Sequence, residues 1–304
     1  MTITLTQAAA FLPTIIANSA LERLRLTTVL PRLVSTDADY TGAFTVGQTL
    51  NIPFLGAVVA NQKTAGNPVT VQSPNSGQVT VTLNQHWEVT TVIEDIVQAM
   101  ENQSIMNRFI ENAVQALAEQ LETSIFAAMD SGATIAVGNY TNDLSYATVL
   151  AARQAMNQNR VPLLRRNLVI SPKDETALKS DAALQAYFSY GQSQIAQGSV
   201  GRLEGFDVYV SQAIPTANAG QDVNNFAWHP SGVLLVMRQL PAVPPDFGAR
   251  QEVVRDPETG LAMRATMAYL PNQLAVQVTL DMLWGVALTT TALNRQALVV
   301  RVRS

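Results

Sequence analysis

Between Asp95 and Met129 the chain runs without a single glycine or proline. Along this stretch Ile96, Met100, Met106, Ile110, Ala113, Leu117, Leu121, Ile125 and Ala128 recur at helical spacing and form one apolar stripe. Glu94 or Asp95 supplies a cap and a favourable charge at the positive end of the dipole, and Gly132 supplies the stop. The pattern predicts a helix of about 34 residues, about 50 Å long, against a usual length of about 11–12 residues. Such a helix spans a whole domain and serves as a strut.

The segments before it are built differently. Over residues 1–35, Phe11, Leu12, Ile15, Ile16, Leu21 and Leu24 recur at helical spacing and Pro31 closes the run, which reads as an arm carrying a short helix. Over 44–93 the period changes to two. Val46, Leu50, Ile52 and Phe54 share a face in the first stretch. In the second, Val79, Val81, Leu83, Trp87, Val89 and Ile93 alternate with polar residues as one continuous strand. The intervening NQKTAGNPVTVQSPNSGQ has the composition of an exposed connection. A two-stranded ribbon is marginal alone in water, so its apolar face is expected to find cover on a neighbouring copy.

After Gly138 the pattern is mixed. Ser145 caps a helix over Tyr146–Asn157 whose buried face is Val149, Ala152 and Met156. Leu168–Ile170 is a short buried strand stopped by Ser171-Pro172, and a helix through Glu175, Ala177 and Leu178 follows. A second strand runs Phe206–Val210. The segment Val233–Met237, preceded by Pro230 and Ser231, is expected to be helical. A β-rich ending follows Pro241, Pro244 and Pro245. Glu252–Arg255 and Leu261–Tyr269 flank the turn residues 256–260, and a last strand runs from Leu274 through Trp284 to Leu288. No pattern places Thr289–Ser304.

Charge and composition narrow the function. There is no cysteine, which removes disulfides, thiolate nucleophiles and cysteine-bound metals. Three lysines (Lys63, Lys173, Lys179) and sixteen arginines are outweighed by acids, for a formal net charge of −4. That balance suits a protein lying beside nucleic acid better than one gripping it. No apolar run reaches the ~20 residues needed to cross a bilayer, and the N-terminus lacks a positive side chain before Arg23, so a soluble intracellular product without membrane contact is expected.

A search for chemistry returns little. Nucleophile elbow, phosphate loop and dinucleotide fingerprint are all missing. His86 and His229, the only histidines, have no partner at metal-ligand spacing and read as surface or interface residues. Glu94-Asp95 is better explained by helix capping than by acid–base work. Arg165-Arg166 reads as a solvated corner between a helix and a strand. Neither an enzyme activity nor a cofactor nor a metal is expected.

The order of arm, extended ribbon, very long helix, α/β region and β-rich return resembles the major capsid proteins of tailed bacteriophages, with the Hong Kong-type capsid fold of the α+β class. VGQTLNIPFLGAVVA and VTVTLNQHWEVTTVIEDI are similar to the protruding loop and helix entry of the branch typified by Salmonella phage coat proteins. LSYATVLAARQAMNQNRVPLLRRNLVISPKD resembles its helix, strand and Ser-Pro turn, and VGRLEGFDVYVSQAIP with NNFAWHPSGVLLVMRQLP its axial-domain signature. The resemblance implies an N-terminal arm at 1–39, an extended loop at 40–92 and a spine helix of the peripheral domain at 93–137. It further implies an axial domain at 138–240 and return strands at 241–304.

It also implies a function: self-assembly into an icosahedral head shell around double-stranded DNA, as hexamers and pentamers, within a virion put together in the bacterial cytoplasm. A separate scaffolding protein and a portal are the expected partners, with a decoration protein as a further one, and DNA is enclosed without sequence-specific binding. Phe11, Ile15, Ile16, Phe54, Lys63 and Trp87 are the candidate inter-subunit contacts, and 56–77 and 191–205 the candidate hinges. Some family members cross-link a loop lysine; Lys63 offers the position, but no carboxylate in an apolar pocket is identifiable. An encapsulin-type compartment shell shares this fold and is the nearest alternative reading. An α/β hydrolase-like enzyme is the alternative of another class, and the scarcity of histidine and of nucleophile motifs stands against it.

Overall fold

The computed structural model describes residues 16–24, 28–36, 49–55, 58, 60–72, 76–95, 104–182, 184, 201–217, 222–241, 249–255, 260–289 and 298–304. Phe11, Leu12, Ile15, the start of the strut, the turn at 256–259 and most of the hinge expected at 191–205 lie outside these residues. Helix α1 covers 16–24 and buries Ile16, Ala17, Ala20, Leu21 and Leu24 along one face. Helix α2, Ser104–Gly132, is the strut, with 29 described residues. Its buried stripe takes in Val114, Ala118, Phe126 and Met129 besides the expected Ile110, Leu117, Leu121 and Ile125, while Ala128 is only half-buried. The face is wider than a single seam, as a core-facing helix requires. Gly132 ends the helix where a Cβ would fall 2.1 Å from Leu288 Cδ1, so the last turn closes against that side chain only without one of its own.

The chain divides into two compact units. One gathers the described parts of Met1–Gln48, Thr82–Ile125 and Leu235–Val286; the other those of Thr49–Val81, Phe126–Leu234 and Ala287–Ser304. The first holds a sheet in the order β1 (Ser35–Thr36), β11 (Val233–Arg238), β14 (Ala275–Leu288), β13 (Ala262–Leu270), β12 (Ala249–Arg255), with β4 (Gln85–Glu94) also pairing β14. Strands β12 and β13 pair antiparallel from Ala249 opposite Ala268 to Arg255 opposite Ala262, as the hairpin reading of the sequence requires. Strand β14 carries the fully buried Ala275, Val278, Leu280 and Trp284.

The sequence reading of Val233–Met237 as helix is wrong. Only Pro230–Gly232 forms a 3-10 turn; the following residues are strand β11, all buried from Val233 to Met237. A strand covered on both faces shows an unbroken apolar run, which carries neither a helical nor an alternating period.

The second unit is built on a sheet in the order β5 (Ile135–Gly138), β15 (Val299–Arg303), β10 (Asp222–Trp228), β6 (Arg166–Ile170), β8 (Phe206–Val210), β7 (Arg202–Leu203), with β9 (Thr216–Ala217) beside β10. Helix α3, Tyr146–Gln158, begins at Ser145, whose hydroxyl accepts the Thr148 N–H, and buries Val149, Ala152 and Met156 as expected. Helix α4, Pro172–Ser180, is capped by Ser171 through the Asp174 N–H and lies in the crossover between the parallel strands β6 and β8. Leu168, Ile170, Phe206 and Val300 meet the α3 face in one core. Phe126 from the end of α2 stacks on Phe226 at 5.9 Å between ring centroids. The segment that no sequence pattern placed supplies β15, parallel to β5 and antiparallel to β10.

Candidate contact surfaces

The ribbon forms, with a break. Strand β2 (Thr49–Leu55) pairs with β3 (Ser76–Thr82) in a two-stranded sheet, and Thr80 Oγ1 donates to Asn51 Oδ1 at 2.7 Å. The alternation that read as one strand over 79–93 is interrupted at Leu83-Asn84, after which β4 pairs β14 from Gln85 opposite Trp284 to Glu94 opposite Ala275. Nor does the apolar face wait for another molecule: Leu50, Ile52, Val79, Val81 and Leu83 are each no more than 7% exposed within the chain. The expectation of an uncovered ribbon face is corrected on both counts, because β4 and these five side chains find partners in their own chain.

Exposed apolar surface lies elsewhere. In the described residues of 58–72 every side chain is exposed, with Val58 at 68%, Val69 at 67% and Val71 at 88%. A turn closes Asn67 N–H on Thr64 O at 3.2 Å, with Gly66 at φ +89° in open space. Lys63 sits in this exposed run. Trp87 on β4 is 40% exposed, and its indole N–H donates to Gln85 Oε1 at 3.0 Å. Of the other candidate contacts, Ile16 is 3% exposed and so already covered, Phe54 lies in β2 with its side chain outside the described set, and Phe11 and Ile15 lie outside it altogether.

The titratable residues hold structure together. Asp281, buried on β14, accepts Arg264 Nε at 3.0 Å and lies 3.0 Å from His86 Nε2, so three neighbouring strands share one charge cluster. A buried carboxylate needs such partners. His229 Nδ1 accepts the Ser231 N–H and caps the 3-10 turn. Asp95 accepts the Tyr269 hydroxyl at 2.7 Å, and that hydrogen bond, aided by desolvation and the carboxylate charge, raises the Tyr269 pKa. Among the described residues no cluster of three or more histidine, aspartate or glutamate side chains has metal-binding geometry, and no helix is long and apolar enough to cross a membrane.

Arg165-Arg166 is half corrected. Arg165 is exposed, but Arg166 is 2% exposed and donates Nε to Pro162 O at 2.8 Å and Nη2 to Val161 O at 2.7 Å. Burial first, and then the charge of Arg153, lowers its pKa. No residue pattern signals this burial, because the acceptors are backbone carbonyls.

A family described as phage capsid protein matches residues 97–276. No curated protein matches the chain at a significant level. Solved structures match nearly its whole length. One from Mycobacterium phage Che8 is 17% identical with a TM-score of 0.64 and covers 90% of each chain. The capsid of cyanophage P-SCSP1u is 13% identical with a TM-score of 0.66, covering 90% of this chain and 87% of that one. The cyanophage Pam1 capsid is 16% identical with a TM-score of 0.61, covering 92% and 91%.

Proposed function

The chain belongs to the phage capsid protein family, and on that premise we propose how its segments divide the work of building a shell. It has the Hong Kong-type capsid fold and is a structural protein, a major capsid protein that forms the phage head shell with copies of itself. The observation that carries this is the family match over 97–276, which takes in the strut, strands β11, β12 and β13 of the first sheet, all of the second sheet except β15, and the loop between α3 and β6. Nothing favours the encapsulin-type or hydrolase readings over it.

In the proposed division, 1–39 is the arm, 40–92 the extended loop, 93–137 the spine of the peripheral domain, 138–240 the axial domain and 241–304 the return. Strand β15 is an exception to the last, because its pairing with β5 and β10 favours an axial assignment for 299–303. Lys63 and Trp87 are the proposed contacts with most exposed surface. Phe11, Ile15 and Phe54 join them, while Ile16 serves the chain's own core. The shell encloses double-stranded DNA through hexamers and pentamers, with a scaffolding protein on a separate chain, a portal and a decoration protein as partners, and assembles in the bacterial cytoplasm. The nearer kinship to the Salmonella-phage coat branch rests on the ribbon and Ser-Pro motifs alone.

Assembly in this scheme is additive. Apolar area withdrawn from water is worth ~25 cal/mol per Å2, so several modest contacts per copy sum to a durable lattice. Negative-stain microscopy of the purified chain tests the proposal: closed shells are expected, and compact monomers at every concentration would refute it. Denaturing electrophoresis of the particles is expected to give one band near 32.8 kDa, not a cross-linked ladder.

A further inference from the structure

The loop between α3 and β6 is short, exposed and held from beneath. Residues 144–172 carry four arginines and no carboxylate, in a chain whose formal net charge is −4. Arg160 and Arg165 bracket the loop, both in the left-handed region at φ 57° and 59°, which side-chain-bearing residues rarely adopt. Between them Leu163 and Leu164 are 66% and 73% exposed. Beneath them the buried Arg166 guanidinium ties down the carbonyls of Val161 and Pro162.

These features belong together. Exposed aliphatic pairs cost solubility, and a monomer gains nothing by holding them rigid. A contact loop does gain, because a segment already fixed in its bound shape has little freedom left to lose on association. We propose that the loop over 160–165 is a docking element that seats Leu163 and Leu164 on another copy of this chain, with Arg160 and Arg165 facing carboxylates there.

The chemistry selects the partner. Leucine offers nothing to a phosphate backbone, so the exposed pair favours a protein surface over nucleic acid. Self-recognition is supported by charge: residues 88–130 of the same chain hold eight carboxylates against Arg108 alone, and of these Glu111 and Asp130 pair with Arg23 and Arg301 of their own chain. Two copies of the loop meeting across a two-fold axis would set arginine against arginine. The loop is therefore matched to an unlike, acidic patch of the other copy and not to itself. This inference rests on the shell reading but adds the loop, its anchors and the charge of the surface it meets.

A photo-crosslinking residue placed at position 163 of the full chain tests it, in a mixture of isotopically light and heavy protein. Mixed-isotope crosslinks within oligomers or particles are the expected result. Crosslinks to nucleic acid, or particles without crosslinks between copies, overturn the inference and leave the shell reading standing. The double substitution Leu163→Asn, Leu164→Asn is expected to raise the concentration needed for assembly by about tenfold or more, with the melting temperature unchanged. An unchanged assembly threshold overturns the docking role alone, whereas a wild-type chain that stays monomeric at every concentration overturns both readings.

Discussion

The loops over 58–72 and 160–165 both hold aliphatic side chains in water, by opposite means. The first is long, with one turn at Thr64–Asn67 and glycine in open space. The second is short, pinned by Val161 at 3% exposure and by the buried Arg166. A tether of the first kind can adapt to copies at slightly different angles, but the freedom it loses on docking offsets part of what it gains. A clamped loop of the second kind loses little and tolerates little change of angle. A shell whose sites are nearly but not fully equivalent has a use for both.

The sharpest way to break this comparison is to remove the tether. Deleting residues 58–76 is expected to leave a soluble subunit that forms no closed shells by microscopy; normal shells would show the tether to be dispensable. Arg166→Met attacks the clamp. It leaves the Val161 and Pro162 carbonyls without their donor and is expected to cost about 1–3 kcal/mol in denaturant unfolding. Limited trypsin digestion of the unassembled chain separates the loops directly: cleavage after Lys63 is expected roughly tenfold faster than after Arg160 or Arg165. Arg166→Met should shrink that ratio, and equal rates in the wild type would mean the clamp does not stiffen its loop. Val71→Ser is the mildest probe, and at 88% exposure its stability is expected to stay within about 0.5 kcal/mol of wild type.

Much of the fold was legible because local signals and tertiary burial agreed. Ser145 starts its helix where the hydroxyl pattern puts it, and Gly132 ends the strut where a side chain would strike Leu288. Strands β6 and β8 could be found from short apolar runs between breakers. Where local sequence is silent about partners, the reading failed. Val233–Met237 looks alike as buried helix or buried strand, and only the neighbouring strands decide. Leu83-Asn84 continues the alternation of its flanks, so nothing local marks the passage of the chain from β3 to β4. The contact surface was harder still. The exposure of Lys63 follows from loop composition, but the burial of Arg166 depends on carbonyls that come within reach only in the folded loop, and with it the reason why Leu163 and Leu164 stand out.

Strand β15 sits between β5 and β10, and its residues are numbers 299–303 of the chain. The ribosome therefore makes every other strand of that sheet before the one that joins its two halves. A chain without β15 would carry the clamped loop on an open sheet, with unpaired edges on β5 and β10.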